Sequence, residues 1–259
     1  MTREFETFYL WASQYLELNL AAYKEQQLQR RIYTVMGQSG ATSLQQYSTL
    51  IEENEEVRQR FLDYITINVT DFFRNPDLFN EFEECLSNEL SPKFGKLKMW
   101  SAACSIGSEP YSLAMLVQRN NLQLEEKILA TDIDHKVLDH AREGKYKEYE
   151  LKNMNDDFIN HYFKKQDQYF MMDSSIKQMV HFKKHDLLLD PFQKNYHVIV
   201  CRNVIIYFKK EIKEELYKNF SESLVPGGIL FTGATETIYK PELYGLKKIG
   251  KFIYQKQGN

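Results

Sequence analysis

The chain has 259 residues, 43% of them hydrophobic and 27% charged, enough for one large domain or two smaller ones with polar surfaces. A net charge of −3 argues against the broad basic face of a nucleic-acid binder, and no nucleic-acid partner is expected. Three cysteines with no CxxC pattern point to a reduced, cytoplasmic setting rather than a disulfide framework. The opening residues, MTREFETFYLWASQY, are charged and amphipathic, unlike a signal peptide. No apolar run approaches the ~20 residues that a membrane-spanning helix needs. The histidines form no metal signature; His181 and His185 read as surface or structural residues of a strand-like run.

Residues 1–66 carry helical signals alone. Phe5, Phe8, Tyr9, Ala12 and Leu16 recur at helical spacing, and Leu28, Ile32 and Val35 form the stripe of a second helix, with Gly37 as its expected C-cap. Arg30 points away from that stripe and Arg31 flanks it: either two solvated arginines or a small basic patch for an acidic partner. Ser43 starts a third helical region, and VRQRFLDYITI turns Phe61, Leu62 and Ile65 inward. Residues 67–95 read as a linker and connecting helix. Within them NVTDFFRNPDLF alternates Asn68, Thr70 and Arg74 with paired phenylalanines, a pattern suited to folding back over a ligand site.

From Lys96 onward strands alternate with helices, which argues for a mostly parallel, doubly wound sheet with ligands at the carboxyl ends of its strands. KLKMWSA, KILATDID, YHVIVCRNV and GILFTGAT are the strands, Gly144 stops the helix after the second, and LKKIG with KFIYQKQ reads as a closing hairpin. Residues of about 160–184 break the alternation and read as a small antiparallel insertion. The centre of the pattern is KLKMWSAACSIGSEPYSLA. A buried strand enters a loop of small side chains, Gly107 permits a tight turn, and Glu109-Pro110 opens an amphipathic helix with Pro110 at its first position. Plain packing of small residues would also explain this stretch. It contains no GxxxxGK[ST] phosphate loop and only one of the three dinucleotide glycines.

Polar residues fall at successive strand ends: Glu109 after the first, Asp132 closing the second, Asp186 in HDLL, then Arg202, Asn203 and Tyr207. A carboxylate at Asp132 suits the two hydroxyls of a ribose, and the residues after Asp186 suit an adenine. A ribose site without a phosphate loop fits S-adenosyl-L-methionine better than NAD or ATP.

Taken together, NVTDFFRNPDLF, WSAACSIGSEPYSLAM, ILATDID, HDLL, VIVCRNVIIYF and LVPGGILFTGATE resemble the chemotaxis receptor glutamate O-methyltransferases, the CheR family, over nearly the whole chain. The resemblance implies an all-helical N-terminal domain joined to a Rossmann-like α/β methyltransferase domain at 96–259 that carries a β insertion. It implies transfer of a methyl group from S-adenosyl-L-methionine to glutamate side chains of chemoreceptors, leaving S-adenosyl-L-homocysteine. Asn68, Thr70, Arg74, Gly107, Glu109, Asp132, Asp186, Leu187, Arg202 and Asn203 match the family's cofactor residues. Tyr207, with Arg74, matches its catalytic positions, and Phe72 and Phe73 are candidate apolar walls. Arg30 and Arg31 would suit the acidic methylation helices of a receptor. The loop reads IGSEPYS where the family usually has TGEEPYS, so Ile106 and Ser108 depart from the pattern. The stretch Asp167–Ser175 lacks the glycine-rich turn of family members that tether to a receptor C-terminal peptide, so binding without that tether, by a monomer, is expected. A catalytically silent cofactor- or receptor-binding module is the alternative.

Overall fold

The computed structural model describes residues 2–66 and 70–258. The chain divides into two compact units, Met1–Asn68 with Tyr207–Lys213, and Val69–Ile206 with Glu214–Asn259.

The first unit is built from four helices: α1 (Arg3–Tyr15), α2 (Glu25–Ser39), α3 (Leu44–Glu53) and α4 (Glu55–Thr66). Side-chain caps start three of them, Thr2 accepting from the Phe5 N–H, Ser43 from that of Gln46, and Asn54 from those of Glu56 and Val57. Their apolar stripes meet in an aromatic centre, where Phe8 stacks on Tyr47 at 5.9 Å and meets Phe61 edge-on at 6.0 Å. Leu62 is only half-buried, whereas Phe61 and Ile65 are buried. The second helix ends later than its sequence suggests. Gly37 lies within α2, and Gly40, at φ +80°, is the residue that leaves the helix in the left-handed region. The segment Tyr207–Lys213 returns to these helices through the main chain. The Lys24 N–H donates to the Tyr207 carbonyl at 2.9 Å, the Lys209 N–H donates to that of Ala22 at 2.8 Å, and Phe208 packs edge-on against Tyr23.

The second unit opens with α5 (Pro76–Cys85), one π turn (Leu86–Leu90) and α6 (Ser91–Phe94). Then follow β1 (Lys96–Leu97), β2 (Met99–Ala102), α7 (Ser108–Arg119), β3 (Gln123–Leu124), β4 (Ile128–Asp132) and α8 (His135–Glu143). The short β1 and β3 pair with each other. Next come β5 (Lys145–Lys147), α9 (Asp156–Tyr162), β6 (Phe163–Gln166), β7 (Tyr169–Met172), α10 (Ser174–Lys177), β8 (Val180–Lys184) and β9 (Tyr196–Cys201). The helix α11 (Lys210–Ser223), which joins this unit from Glu214 onward, β10 (Leu224–Thr232), β11 (Leu246–Lys248) and β12 (Ile253–Lys256) follow. The main sheet has the order β11-β12-β10-β9-β2-β4-β8, parallel except where β12 pairs with β10 and β11. Every residue of β2 and β9 is buried, as expected for central strands covered on both faces. Strand order reverses around β2, so the crevice at the carboxyl ends of β9, β2 and β4 is where such a sheet holds a ligand.

The irregular stretch folds differently from its sequence expectation. The antiparallel sheet has the order β5-β7-β6, so it recruits Lys145–Lys147 from well before residue 160. Val180–Lys184 leaves it and pairs in parallel with β4 as the edge of the main sheet. Pairing partners far apart in the chain cause both shifts, and periodicity carries no information about them.

Candidate active site

The site grows from the loop after β2. Ala103 (φ +66°), Ser105 (φ +50°) and Gly107 (φ +89°) all occupy the left-handed region, which winds the backbone tightly above the sheet. Only the third is a glycine, and packing explains why. A Cβ at Gly107 would lie 2.9 Å from the Ala141 Cβ and 3.2 Å from the Tyr146 hydroxyl. The loop is tied to the neighbouring strand: the Cys104 N–H donates to the Thr131 carbonyl, and the Ser105 N–H to Asp132 Oδ2, both at 2.8 Å. Helix α7 begins at Ser108 with Gly107 as N-cap, so Pro110 is its third residue rather than its first. Nor is the helix amphipathic, for Ser108 to Val117 are all buried.

Asp132 closes β4 with its carboxylate held by the main chain, Oδ2 by Ser105 and Oδ1 by the Asp134 N–H at 3.1 Å. Burial raises its pKa to about 6 against the pull of those N–H groups. Its carbonyl accepts from the His185 N–H at 2.9 Å, which brings the end of β8 beside it. There Asp186 folds a turn, its Oδ1 accepting from the Leu188 N–H at 2.7 Å, with Leu187 half-buried at the bend. His185 packs edge-on against Trp100, and His181 is exposed on β8.

Glu109 is buried beneath the loop. Ser101 donates to its Oε1 at 2.8 Å, and Arg202 Nη1 lies 4.0 Å from its Oε2. Burial outweighs the arginine and raises its pKa to about 7. Arg202, 6% exposed, has its guanidinium 5.0 Å from the Phe79 ring centroid and 4.8 Å from that of Phe231. Its Nη2 donates to the Arg74 carbonyl at 2.8 Å and to Asn75 Oδ1 at 3.1 Å. That clamp fixes Arg74 and Asn75 beside the end of β9. Arg74 is half-buried and close enough to Glu109 and Arg202 to bias the charge of both. Thr70 is half-buried at the start of this described segment, and Asn68 lies outside the described residues.

One expectation changes here. Phe72 is a core residue, fully buried edge-on against Tyr146 and Phe163, and does not line a crevice. Phe73 (φ +46°) is half-buried against Phe79 and Phe158, its N–H bonded to Ser112 Oγ at 3.0 Å. Sequence reasoning also passes over Glu236, 3% exposed, whose carboxylate accepts from the N–H groups of Asn203, Gly233 and Ile206. Its signal is weaker than that of Asp132, which closes its strand, because Glu236 stands four residues past the end of β10.

In the helical unit, Arg30 is exposed as expected and Arg31 is not. Arg31 Nη2 donates to the Tyr64 carbonyl, and its guanidinium lies 4.7 Å from the Tyr64 ring centroid and 5.9 Å from that of Tyr207. Helical spacing places Arg31 at the flank of the apolar stripe and Arg30 away from it, but the tyrosines that cover Arg31 come from distant parts of the chain.

The residues gathered at the sheet fit an adenosyl ligand. Asp132 offers a buried carboxylate for hydroxyl groups, and the thin loop lets backbone approach. Ser105 Oγ, Ser108 Oγ and Arg202 Nε are buried without a hydrogen-bond partner among the described residues. Buried polar atoms left unpaired are costly, and a polar ligand would satisfy them. A parallel sheet with these features at its switch point defines an S-adenosylmethionine-dependent methyltransferase.

Comparison with known proteins narrows the class. Residues 68–251 match the CheR methyltransferase SAM binding domain, and residues 3–66 match the CheR methyltransferase all-alpha domain. This chain belongs to the CheR methyltransferase family. It is 37% identical over 242 residues to a chemotaxis protein methyltransferase of Listeria monocytogenes, covering 93% of this chain and 92% of that protein. It is 33% identical to one of Borreliella burgdorferi (85% and 83% covered) and 31% identical to one of Escherichia coli K12 (84% and 78% covered). No described helix is long and apolar enough to cross a membrane.

Proposed function

We propose that this protein methylates glutamate side-chain carboxylates of chemoreceptors, forming methyl esters for chemotactic adaptation in the cytoplasm. The observation that carries this reading is the match of both CheR domains, all-alpha and methyltransferase, within one chain. S-adenosylmethionine supplies an electrophilic methyl group on a sulfonium sulfur.

The chain's own task is to hold and align. A glutamate carboxylate, with an ordinary pKa of about 4.3, is already ionised at neutral pH, so no proton has to be removed from the nucleophile. Asp132, with Asp186 and Leu187 beside it, takes the nucleoside end of the cofactor. Thr70, Arg74, Glu109 and Arg202 take the amino-acid end, and Gly107 lets the loop lie against it. Asn68 belongs with this group by its sequence match. Tyr207 donates a hydrogen bond that orients the acceptor carboxylate, so that the reacting atoms meet in line. Closing the site against water removes competing hydration from the charged partners. Arg30 docks an acidic receptor helix, whereas Arg31, covered by Tyr64 and Tyr207, holds the tyrosine in place.

The protein works on its receptors without a tail tether. The hairpin between β6 and β7 turns at Asp167 (φ +54°), with no glycine-rich loop to receive a peptide. Measurable affinity for an isolated receptor tail peptide would count against this.

The test is incubation with methyl-tritiated S-adenosylmethionine and a chemoreceptor cytoplasmic fragment, followed by mild base. The expected label is volatile, base-labile, absent when receptor glutamates are alanine, and strongly reduced for Tyr207→Phe. Cofactor binding without transfer to any of several receptors would replace the enzyme reading with a silent signalling module.

A further inference from the structure

Glu236, like Asp132, is a buried carboxylate spent on the main chain. Oε2 accepts from the Asn203 N–H at 2.6 Å and the Gly233 N–H at 2.8 Å, while Oε1 accepts from the Ile206 N–H at 3.2 Å. Its own backbone closes the turn: its N–H donates to the Gly233 carbonyl at 2.8 Å, and its carbonyl accepts from Thr232 Oγ1 at 3.0 Å. Gly233 leaves the room for this. A Cβ there would lie 2.6 Å from Glu236 Oε2 and 2.8 Å from the Asn203 nitrogen. Burying a carboxylate is costly, so a turn that needed only local closure would be served by a neutral residue. A glutamine could not reproduce the pattern, because one of its two terminal atoms donates rather than accepts.

The three N–H groups come from two separate strand ends, β9 and β10. Asn203 is held at φ +63°, in the left-handed region that a non-glycine residue adopts at a cost. Burial lowers the pKa of Arg202, and Glu109 and, less strongly, this same carboxylate oppose that by supporting its positive charge.

We infer that Glu236 is a positioning residue of the cofactor site: by binding the Asn203, Gly233 and Ile206 N–H groups it sets the backbone that presents Arg202 and Asn203. This rests on the reading that Arg202 and Asn203 contact the cofactor. Glu236 itself does not touch the reacting atoms.

Calorimetric titration of the full chain with S-adenosylhomocysteine, alongside thermal melting, tests it with three variants. Asn203→Ala and Glu236→Gln should each weaken binding by about tenfold or more, the scale of lost hydrogen bonds to a charged group. Thr232→Val breaks the same turn elsewhere, at the Thr232 Oγ1 bond, and spares the carboxylate. It should lower the melting temperature yet change the Kd by less than about twofold. A folded Glu236→Gln protein with wild-type affinity, while Asn203→Ala is weakened, overturns the inference alone. Wild-type affinity in Asn203→Ala sinks the cofactor-site reading instead. If Glu236→Gln does not fold, hydrogen exchange on the wild-type chain decides. The Asn203 and Ile206 amides should be protected in the free protein and further protected by S-adenosylhomocysteine. Rapid exchange unaffected by the ligand overturns the proposal.

Discussion

Asp132 and Glu109 are the carboxyls of the site whose proton affinity the fold raises. Both carboxyls are raised by burial, to about 6 and about 7 respectively. A carboxyl whose folded pKa exceeds its unfolded value binds its proton more tightly in the native state. The stability it contributes is therefore full below about pH 4, near the unfolded values, and is lost as pH rises through 6 and 7. The ligand-free protein should accordingly melt at lower temperature at pH 7.5 than at pH 5. Binding has the opposite dependence, because an ionised Asp132 is the better acceptor for ribose hydroxyls. S-adenosylhomocysteine affinity should rise between pH 5 and pH 7.5, and Asp132→Asn should flatten that rise. A pH-independent Kd in the wild type would remove Asp132 from the cofactor's contacts. The two arginines of α2 separate in the same way. Arg30→Ala should raise the KM for receptor, with an effect that shrinks as salt screens it. Arg31→Ala should lower kcat by about tenfold and leave receptor KM and its salt dependence nearly unchanged. The reverse assignment in steady-state kinetics would make Arg31 the docking residue.

The decisive element is the turn from β2 into α7. Three left-handed residues in five positions bring the loop back on itself, and Cys104 and Ser105 fasten it to the end of β4. Gly107→Ala places a Cβ where Ala141 and Tyr146 already stand, at a φ that side chains rarely adopt. The substitution should cost about 1–3 kcal/mol of unfolding free energy in urea titration. It should also weaken S-adenosylhomocysteine binding, since the helix start and the loop move together. Stability lost with affinity intact would mean that the loop tolerates displacement and does not contact the ligand. Asp134, at the next turn, shows the ordinary version of the same junction: its side chain caps α8 by accepting from the Lys136 N–H at 2.9 Å.

At the scale of the molecule, the helical unit is not a contiguous piece of chain. Tyr207–Lys213 belongs to it, fastened by the Lys24 and Lys209 N–H groups and by Phe208, which is 6% exposed against Tyr23. The residue proposed to orient the substrate is therefore held by the same unit as the arginine proposed to dock it. Phe208→Ala should cost about 3–5 kcal/mol in stability, the usual range for emptying a buried phenylalanine site. A loss well below that range, by chemical denaturation, would show that the return segment adds little to the helical unit.

Local features were legible without a structure. The alternation of strands and helices, the stop at Gly144, the cap at Ser43 and the closing hairpin follow from periodicity and from glycine and serine chemistry, which act over a few residues. The place of Asp132 at the end of a buried strand follows from the same local pattern. Tertiary structure alone decided the partners. That β8 joins the main sheet and β5 the small one depends on hydrogen bonds to strands dozens of residues away. That Arg31 is covered while Arg30 is bare, that Phe72 is core, and that Glu236 binds two strand ends depends on which surfaces meet. Spacing along a chain states which residues share a face. What that face is buried against is settled only when distant segments compete for the same apolar surface and the same unpaired backbone groups.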